Sequence, residues 1–261
     1  MKKNKIHKLF LKLLISGFYF FSFNTHGNRK IVTVEGGSFT PLYGTLKQPI
    51  TIDKFQIDEN PVTNEDFLEF VKKYPEWKKS SAKKIFVDKT YLDHWLKDTE
   101  LGSKSLPDSP VVNVSWYAAK SFCDAEGKRL PTVNEWEFVA SQKIKGHDVR
   151  KIILDWYSIP TPEILPSVKS GYKNTSGVSN MHGLIWEWTQ DFNSTMVTGE
   201  SRADGSLDKT LFCGSGSSNA ADKLDYAAFM RFGFRSSLKA NYTIANLGFR
   251  CVKELETANE K

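Results

Sequence analysis

The stretch Asn180-Met-His-Gly-Leu-Ile-Trp-Glu-Trp-Thr-Gln-Asp-Phe-Asn193 decides how this chain can fold. It places one carboxylate, Glu187, between two tryptophans, Trp186 and Trp188, shortly after a glycine turn. Alternate side chains of an extended segment face opposite ways, so both indoles share one face and Glu187 takes the other. We expect the indoles in the densest part of a core. Glu187 is then either a hydrogen-bonded residue of a central strand or part of a cation or ligand site.

The beginning of the chain has the pattern of an export signal. Five lysines between Lys2 and Lys12 precede an apolar run over residues 13–23. This run is short for a membrane span, and a charged start before a short apolar segment is typical of a secretory signal. We therefore predict a signal peptide at residues 1–27, or an uncleaved anchor that would provide the only contact with a membrane. The predicted location is periplasmic or otherwise exported.

The charge of the chain gives no reason to expect a nucleic-acid partner. The whole sequence carries 36 basic and 30 acidic residues, a net charge of +6. Residues 1–27 hold five of the lysines and no acidic residue, which leaves 31 basic and 30 acidic residues in the remainder. The positive surplus therefore belongs to the export signal, and no basic stripe marks the rest of the chain, so nucleic-acid binding is not expected.

The remaining chain has the length of one large domain, predicted at residues 28–253, followed by a disordered tail at 254–261. Helices are expected after the capping residues Thr63, Ser115 and Thr132. Apolar segments predict strands, which cover residues 31–40, 50–58, 110–114, 180–193, 229–235 and 246–253. Two passages predict no regular element, the lysine-rich residues 74–109 and the proline-broken residues 143–172. Short strands with few helices indicate an α+β fold.

Short motifs occur in a specific order along nearly the whole of residues 28–253. They are Gly36-Gly-Ser-Phe39, Pro61-Val-Thr-Asn64, Pro110-Val-Val-Asn-Val-Ser-Trp116, Gly127-Lys-Arg-Leu-Pro-Thr132 with Glu135-Trp-Glu137, His182-Gly183 with Trp186-Glu-Trp188, and Asn246-Leu-Gly-Phe-Arg250. Together they resemble the formylglycine-generating enzyme (sulfatase-modifying factor) family. The resemblance implies an α+β fold that is a variant of the C-type-lectin-like fold, with a tryptophan-rich core.

The residues that would hold copper in such an enzyme differ in this chain. The resemblance implies two cysteines shortly after a Gly-Gly-Ser turn, because two soft thiolates suit copper(I). The matching turn is Gly214-Ser-Gly216, and the thiol positions fall at Asn219 and Leu224. Cys213 precedes the turn instead of following it. Formylglycine-generating oxidase activity is therefore not expected.

Calcium and copper are the cofactors that the resemblance leaves open. The family's calcium site uses an asparagine after His-Gly, and this position is Leu184, which has no ligand atom. Glu187 alone gives an incomplete site, since calcium takes six to eight oxygen ligands. Cys213 is the copper candidate. The histidines show no His-x-His or His-Glu-x-x-His spacing, so a histidine-rich metal site is not predicted.

Details of the second half resemble one branch of the family, the exported accessory proteins of copper-containing nitrite reductases in denitrifying bacteria. These details are found in residues 154–157, 183–193 and 212–214, and at Arg231 with residues 236–238. The resemblance implies a periplasmic helper whose partner is an exported protein such as a copper nitrite reductase. The candidate binding residues are Glu187, Trp188, Asn193, Arg231 and Arg235.

Three cysteines, Cys123, Cys213 and Cys251, allow at most one disulfide within the chain. A helix and the terminal strand pack together in lectin-like folds, so the resemblance implies a Cys123–Cys251 bridge. Closing a loop of this length would contribute about 4 kcal/mol. Cys213 is then a buried small side chain, or a soft metal ligand or redox thiol and thus the candidate catalytic residue.

Three hypotheses about function follow. The first is an exported accessory or binding protein that uses Cys213 and the surrounding cleft as its working surface. The second is a thiol- or metal-dependent oxidase of altered chemistry, in which Cys213 acts with a metal. The third is a structural module of an envelope complex. We favour the first hypothesis and leave enzymatic activity open.

Overall fold

The computed structural model describes residues 29–41, 48–193 and 223–255. Its strands are β1 Ile31–Val34, β2 Gly37–Phe39, β3 Ile50–Ile52, β4 Phe55–Asp58, β5 Trp186–Glu187, β6 Leu247–Gly248 and β7 Val252–Glu254. Its α-helices are α1 Asn64–Lys73, α2 Trp116–Ala125, α3 Val133–Ala140, α4 Val149–Ser158 and α5 Lys223–Ser237, with a short 3₁₀ helix at Pro75–Trp77. Helices and short, mainly antiparallel strands give the expected α+β class.

Three small sheets form the β structure of the described residues. β4 lies between β1 and β7 in an antiparallel sheet, with Ile57 opposite both Val32 and Val252. β2 pairs with β3 in the antiparallel sense, and β5 pairs with β6 in the parallel sense. The N-terminal and C-terminal parts of the chain therefore meet in one sheet, which closes the domain.

The first two predicted strands each form two shorter strands. Residues 31–40 divide into β1 and β2, and residues 50–58 divide into β3 and β4. The break in the first lies at Glu35-Gly36, where a Cβ on Gly36 would stand 2.2 Å from the carbonyl oxygen of Ile52. The two segments approach so closely here that only glycine fits.

The helix starts predicted from capping residues are confirmed. The Thr63 side chain accepts a hydrogen bond from the backbone of Asp66, whose carboxylate accepts one in return from the backbone of Thr63. Thr132 and Glu135 make the same reciprocal pair at α3, and the Ser115 side chain caps α2. These caps satisfy amide groups that have no partner within the helix, and their signals are local in sequence.

The structure corrects three predicted elements. Residues 229–235 belong to helix α5 instead of a strand, since Ala227, Ala228, Arg231 and Leu238 are buried at helical spacing. Residues 143–172 contain α4, which Asp148 caps. Residues 110–114 form no strand beyond one bridge between Thr63 and Pro110. Strand β7 includes Glu254, one residue beyond the predicted end of the domain.

The main hydrophobic core lies around α1 and α2. Phe67, Phe122 and Phe249 pack on one another with ring centroids 5.3–6.1 Å apart. The lysine-rich passage contributes Trp95 to this cluster, 2% exposed, so its aromatic residues serve packing. Cys123 of α2 and Cys251 just before β7 are joined by a disulfide, the pairing favoured from the sequence, and both are fully buried.

None of the helices within residues 29–41, 48–193 and 223–255 is both long enough and apolar enough to cross a membrane. The predicted signal segment at residues 1–27 lies outside the described residues.

Candidate functional site

The Trp-Glu-Trp stretch lies on the parallel pair of β5 and β6. Trp186 faces Leu247 and Glu187 faces Gly248 across this pair. Trp188 is fully buried and donates its indole N–H to the carbonyl of Val114 at 2.9 Å. Trp186 is half-buried and stacks on Tyr157 and Phe234, with centroids 5.2 and 4.4 Å away. Only one of the two indoles is therefore a core anchor, and the other lines a surface-accessible side of the site.

Glu187 forms a buried ion pair with Arg250. Arg250 Nε and Nη2 donate to the two carboxylate oxygens at 2.8 and 2.7 Å, and both side chains are fully buried. The Trp136 indole donates to the same carboxylate at 2.9 Å. The guanidinium also donates to backbone carbonyls, which belong to Asp58, Glu59, Ser179 and Asn180. Glu187 is thus a hydrogen-bonded structural residue, the first of the two interpretations of it, but its partners are distant in sequence.

These contacts do not fit a calcium ion at Glu187. Both oxygens accept hydrogen bonds from Arg250 or Trp136, and a guanidinium in direct contact with them repels a cation. Leu184, the next residue expected at such a site, is apolar and buried. Calcium would also require six or more oxygen ligands. The Glu187–Arg250 ion pair, whose net charge is zero, instead connects residues 180–193 to the segment between β6 and β7.

A second charged cluster lies beside this pair, where α3 meets α5. Arg231 donates to the two carboxylate oxygens of Glu137 at 2.9 and 2.7 Å, and Arg235 donates to the same carboxylate at 2.6 Å. The two guanidinium carbons lie 5.8 and 5.1 Å from the Trp136 ring. The structure therefore brings the predicted binding residues Arg231 and Arg235 together, around a carboxylate that was not predicted to be part of the site.

Burial and charge fix the protonation states in this cluster. Burial alone would raise the pKa of Glu137, but Arg231 and Arg235 outweigh it and lower this pKa to about 2. Burial raises the pKa of Tyr157 to about 12. Burial, with the positive charge of Arg231, lowers the pKa of His182 to about 4. At neutral pH Glu137 is therefore ionised, whereas Tyr157 and His182 are neutral.

A small cavity opens between these groups. Its volume of about 10 Å³ is room for about one water molecule. The lining residues are Trp136, Trp156, Tyr157, Met181, His182, Ile185, Trp186, Glu187, Arg231, Phe234 and Arg235. It is polar at Arg231 and His182, and it has aromatic walls. Polar groups that converge among apolar side chains are also found in ligand pockets, but those pockets are far larger than this space.

We predict that His182 makes the fold less stable as the pH falls. The unfolded histidine takes up a proton near pH 6.5, whereas the folded one resists it down to about pH 4. The contribution of His182 to the free energy of unfolding is therefore complete above pH 6.5 and decreases by about 3 kcal/mol between pH 6.5 and 4. Urea unfolding of parent and His182→Gln at several pH values measures this decrease.

Replacement of the exposed His147 by glutamine gives the control for this experiment. The His182→Gln variant should show a flatter pH dependence than the parent and than His147→Gln. Half-buried His94, whose pKa burial likewise lowers to about 4, should account for a second decrease of the same sign. Parallel curves for parent and His182→Gln would contradict the assignment.

The other predicted residues stand apart from this cavity. Trp188 is enclosed by the main core, and Asn193 is exposed at the end of a described segment. Cys213 lies outside the described residues. Among the residues that the structure does describe, no group of three or more histidine, cysteine, aspartate or glutamate side chains could hold a metal ion. Two of the three cysteines, Cys123 and Cys251, form the disulfide.

The sequence interpretation missed Glu137, Tyr157, His182 and Arg250 as parts of the site. Arg250 and Glu137 lie inside motifs that were used to identify the fold. A charged residue within an apolar segment usually has a buried partner, and this pattern could have marked both residues as candidates. Tyr157 lies on α4, and this helix was not predicted because the prolines that follow it indicated an irregular segment. Only the tertiary structure brings these residues together, because they come from separate elements.

Comparisons with known proteins agree with this architecture. The chain is 27% identical over 185 residues to the serine/threonine-protein kinase pkn1 of Chlamydia pneumoniae, covering 62% of this chain and 28% of that protein. It is 28% identical to the inactive C-alpha-formylglycine-generating enzyme 2 of Bos taurus, covering 54% of this chain and 60% of that protein. The chain thus spans less than two thirds of either relative.

A solved structure shows the same fold. The structure of PvdO from Pseudomonas aeruginosa superposes with a TM-score of 0.51 at 18% identity, covering 86% of this chain and 94% of that one. The profile of one protein family, described as the sulfatase-modifying factor enzyme 1-like domain, matches residues 20–255. Since this match covers most of the sequence and includes the motifs that build the site, the chain belongs to the sulfatase-modifying factor family.

Proposed function

We propose that this chain is an exported accessory or binding protein that serves a periplasmic metalloenzyme, such as a copper nitrite reductase. In this proposal it uses the family scaffold without the oxidase chemistry of formylglycine generation. Export is inferred from the lysines and apolar run of residues 1–27. The nitrite reductase partner is inferred from the resemblance of residues 154–157 and 183–193 to accessory proteins of that enzyme.

The number of free thiols carries the proposal. The chain has three cysteines, and the Cys123–Cys251 disulfide uses two of them. One thiol, Cys213, is left, whereas a copper(I) site of the kind implied by the family needs two soft thiolates. The two positions expected to carry those thiols are Asn219 and Leu224. This chain on its own therefore lacks the ligand set for that oxidation.

Other features support a binding role. A relative that is named as an inactive enzyme indicates that this domain type occurs without the activity. The buried Glu187–Arg250 pair is fully engaged in holding the fold, so it offers no free general acid or base. The cavity at Arg231 is lined by aromatic rings and a positive cluster, which suits recognition.

The proposal is tested by the copper content of the enzyme that it serves. Copper nitrite reductase is purified from cells that carry this protein and from cells that lack it. We expect lower copper occupancy and lower nitrite reduction per molecule in its absence. Equal copper content in both preparations would exclude the accessory role. A formylglycine aldehyde on a sulfatase-type cysteine peptide treated with the purified protein would instead support the oxidase alternative.

Cys213 is predicted to be the single reactive thiol of the exported protein. Alkylation of the native protein followed by mass spectrometry should label Cys213 and recover Cys123 and Cys251 as one linked pair of peptides. The Cys213→Ser variant should keep the melting temperature of the parent within a few degrees, because it leaves the disulfide intact. If the mass map finds Cys213 in a disulfide, the count of free thiols that supports the proposal is wrong.

A further inference from the structure

One buried hydrogen-bond donor of the α3–α5 cluster has no partner among the residues that the structure describes. Arg231 is 6% exposed, and its Nε and Nη2 atoms bind Glu137. Its Nη1 atom is buried and lacks a hydrogen bond to the described residues. The neighbouring Tyr157 hydroxyl also interacts with the Arg231 guanidinium, yet no described residue meets hydrogen-bond geometry at Nη1. A buried donor without an acceptor is energetically unfavourable, so this atom is available to a ligand.

The cluster also has one positive charge in excess. Arg231 and Arg235 share the single carboxylate of Glu137, and the three side chains are 7, 12 and 15% exposed. The adjacent Glu187–Arg250 pair is neutral as a whole, and Tyr157 and His182 carry no charge at neutral pH. Taking an uncompensated charge out of water is unfavourable. An anion placed next to Arg231 would offset this cost.

The shape of the cavity restricts which anion fits. Arg231 and Arg235 both line a space that holds about one water molecule. Any of these oxyanions could place one oxygen where that water would lie, and a flat carboxylate has less remaining bulk to accommodate than a tetrahedral phosphate or sulfate. The rest of such a ligand would lie against Tyr157, Trp186 and Phe234, which are partly exposed at the mouth. Guanidinium groups recognise carboxylates well because their donors match the planar acceptor.

We propose that this cavity is a carboxylate-binding site in which Nη1 of Arg231, with Arg235 beside it, receives one oxygen of the ligand. The ligand is a small free acid or an acidic side chain of another protein, and both present the same chemical group. The site is defined by its own contacts, whatever partner the domain serves. The proposed carboxylate site is therefore tested independently of the proposed role with a nitrite reductase.

The test uses acetate and its neutral analogue acetamide on the complete exported protein. Tryptophan fluorescence is followed during each titration, with sodium chloride keeping the ionic strength constant, because Trp136, Trp156 and Trp186 line the cavity. We expect a saturable change with acetate and none with acetamide. Arg231→Lys, which removes the free Nη1 donor, should raise the half-saturating acetate concentration at least tenfold.

Two further variants complete the design. Arg129→Lys is the matched control, because Arg129 also binds a glutamate, Glu135, with two hydrogen bonds but lies outside the cavity. It should leave the acetate titration unchanged. If circular dichroism shows that Arg231→Lys does not fold, Arg235→Lys decides the question, since it keeps the Arg231–Glu137 pair and should weaken acetate binding about three- to tenfold.

The source of the carboxylate is separated by a second titration. N-acetyl-glutamate amide, whose only acid is its side chain, is compared with N-acetyl-glutamine amide. Binding of the glutamate compound would indicate that a protein side chain can reach the site, and binding of acetate alone would restrict it to small free acids. Equal responses to acetate and acetamide would overturn the proposal. So would an acetate titration that is unaltered in a folded Arg231→Lys protein.

Discussion

Arg250→Met is expected to lower the free energy of unfolding by about 3–5 kcal/mol. The substitution leaves the Glu187 carboxylate fully buried, with the Trp136 indole as its remaining hydrogen-bond donor. It also removes the donors to four backbone carbonyls, two at the end of β4 (Asp58 and Glu59) and two at the start of the central stretch (Ser179 and Asn180). A buried charge without a counterion is much less stable than the same charge in water, and this difference is the origin of the effect. Urea unfolding followed by tryptophan fluorescence measures it.

Two controls separate the buried charge from the loss of an arginine in general. Arg129→Met removes an arginine that is 25% exposed and paired with Glu135, and it should cost about 1 kcal/mol or less. The double variant Glu187→Met/Arg250→Met should be more stable than Arg250→Met alone, because no charge is left buried. Equal unfolding midpoints for Arg250→Met and Arg129→Met would show that Arg250→Met does not leave Glu187 as an unpaired buried charge.

Loss of the Cys123–Cys251 disulfide is expected to lower the stability by about 4 kcal/mol. The two residues are 128 positions apart, so the bond restricts a long loop of the unfolded chain. It also links α2 to the segment that enters β7 inside the main core. The Cys123→Ala/Cys251→Ala variant should therefore unfold at a markedly lower temperature, as measured by thermal circular dichroism.

Reduction of the parent protein provides an independent test of the same bond. A reducing agent should lower the melting temperature of the parent and of Cys213→Ala by similar amounts, and it should leave that of the double alanine variant unchanged. Comparison with the reduced parent also separates loss of the bond from the small cavities that alanine leaves. A melting temperature that does not respond to reduction would contradict the expected contribution.

The sequence predicted those parts of the fold whose causes are local. Thr63 alone, and Thr132 with Glu135, marked helix starts, because capping joins residues only three positions apart. The motifs from Gly36 to Arg250 identified the family and its α+β fold. Short apolar segments were less informative, since the residues of α5 were assigned to a strand. Their burial at helical spacing depends on contacts with α3 and α4, which no local pattern specifies.

The candidate site could be predicted only in part. Arg231 and Arg235 were predicted as binding residues, a role that stays a prediction, and their partner Glu137 and the neighbouring Tyr157 were not predicted. Glu187 was expected to have local partners or a cation, and its counterion is Arg250, 63 residues away. Such long-range pairs are selected by the packing of separate elements, so a single sequence contains no direct signal for them.

The sequence by itself determined the family, the capped helices, the nearly even charge balance after residue 27, and the presence of three cysteines. Each of these follows from residue types or from spacings of a few positions. Only the tertiary structure decided that Glu187 is neutralised by Arg250 and that Trp188 is the buried indole. It also decided that Nη1 of Arg231 lies buried without a hydrogen-bond acceptor in the described part of the chain. The physical reason is that burial and charge compensation are properties of neighbours in space, which the folded chain brings together from distant positions.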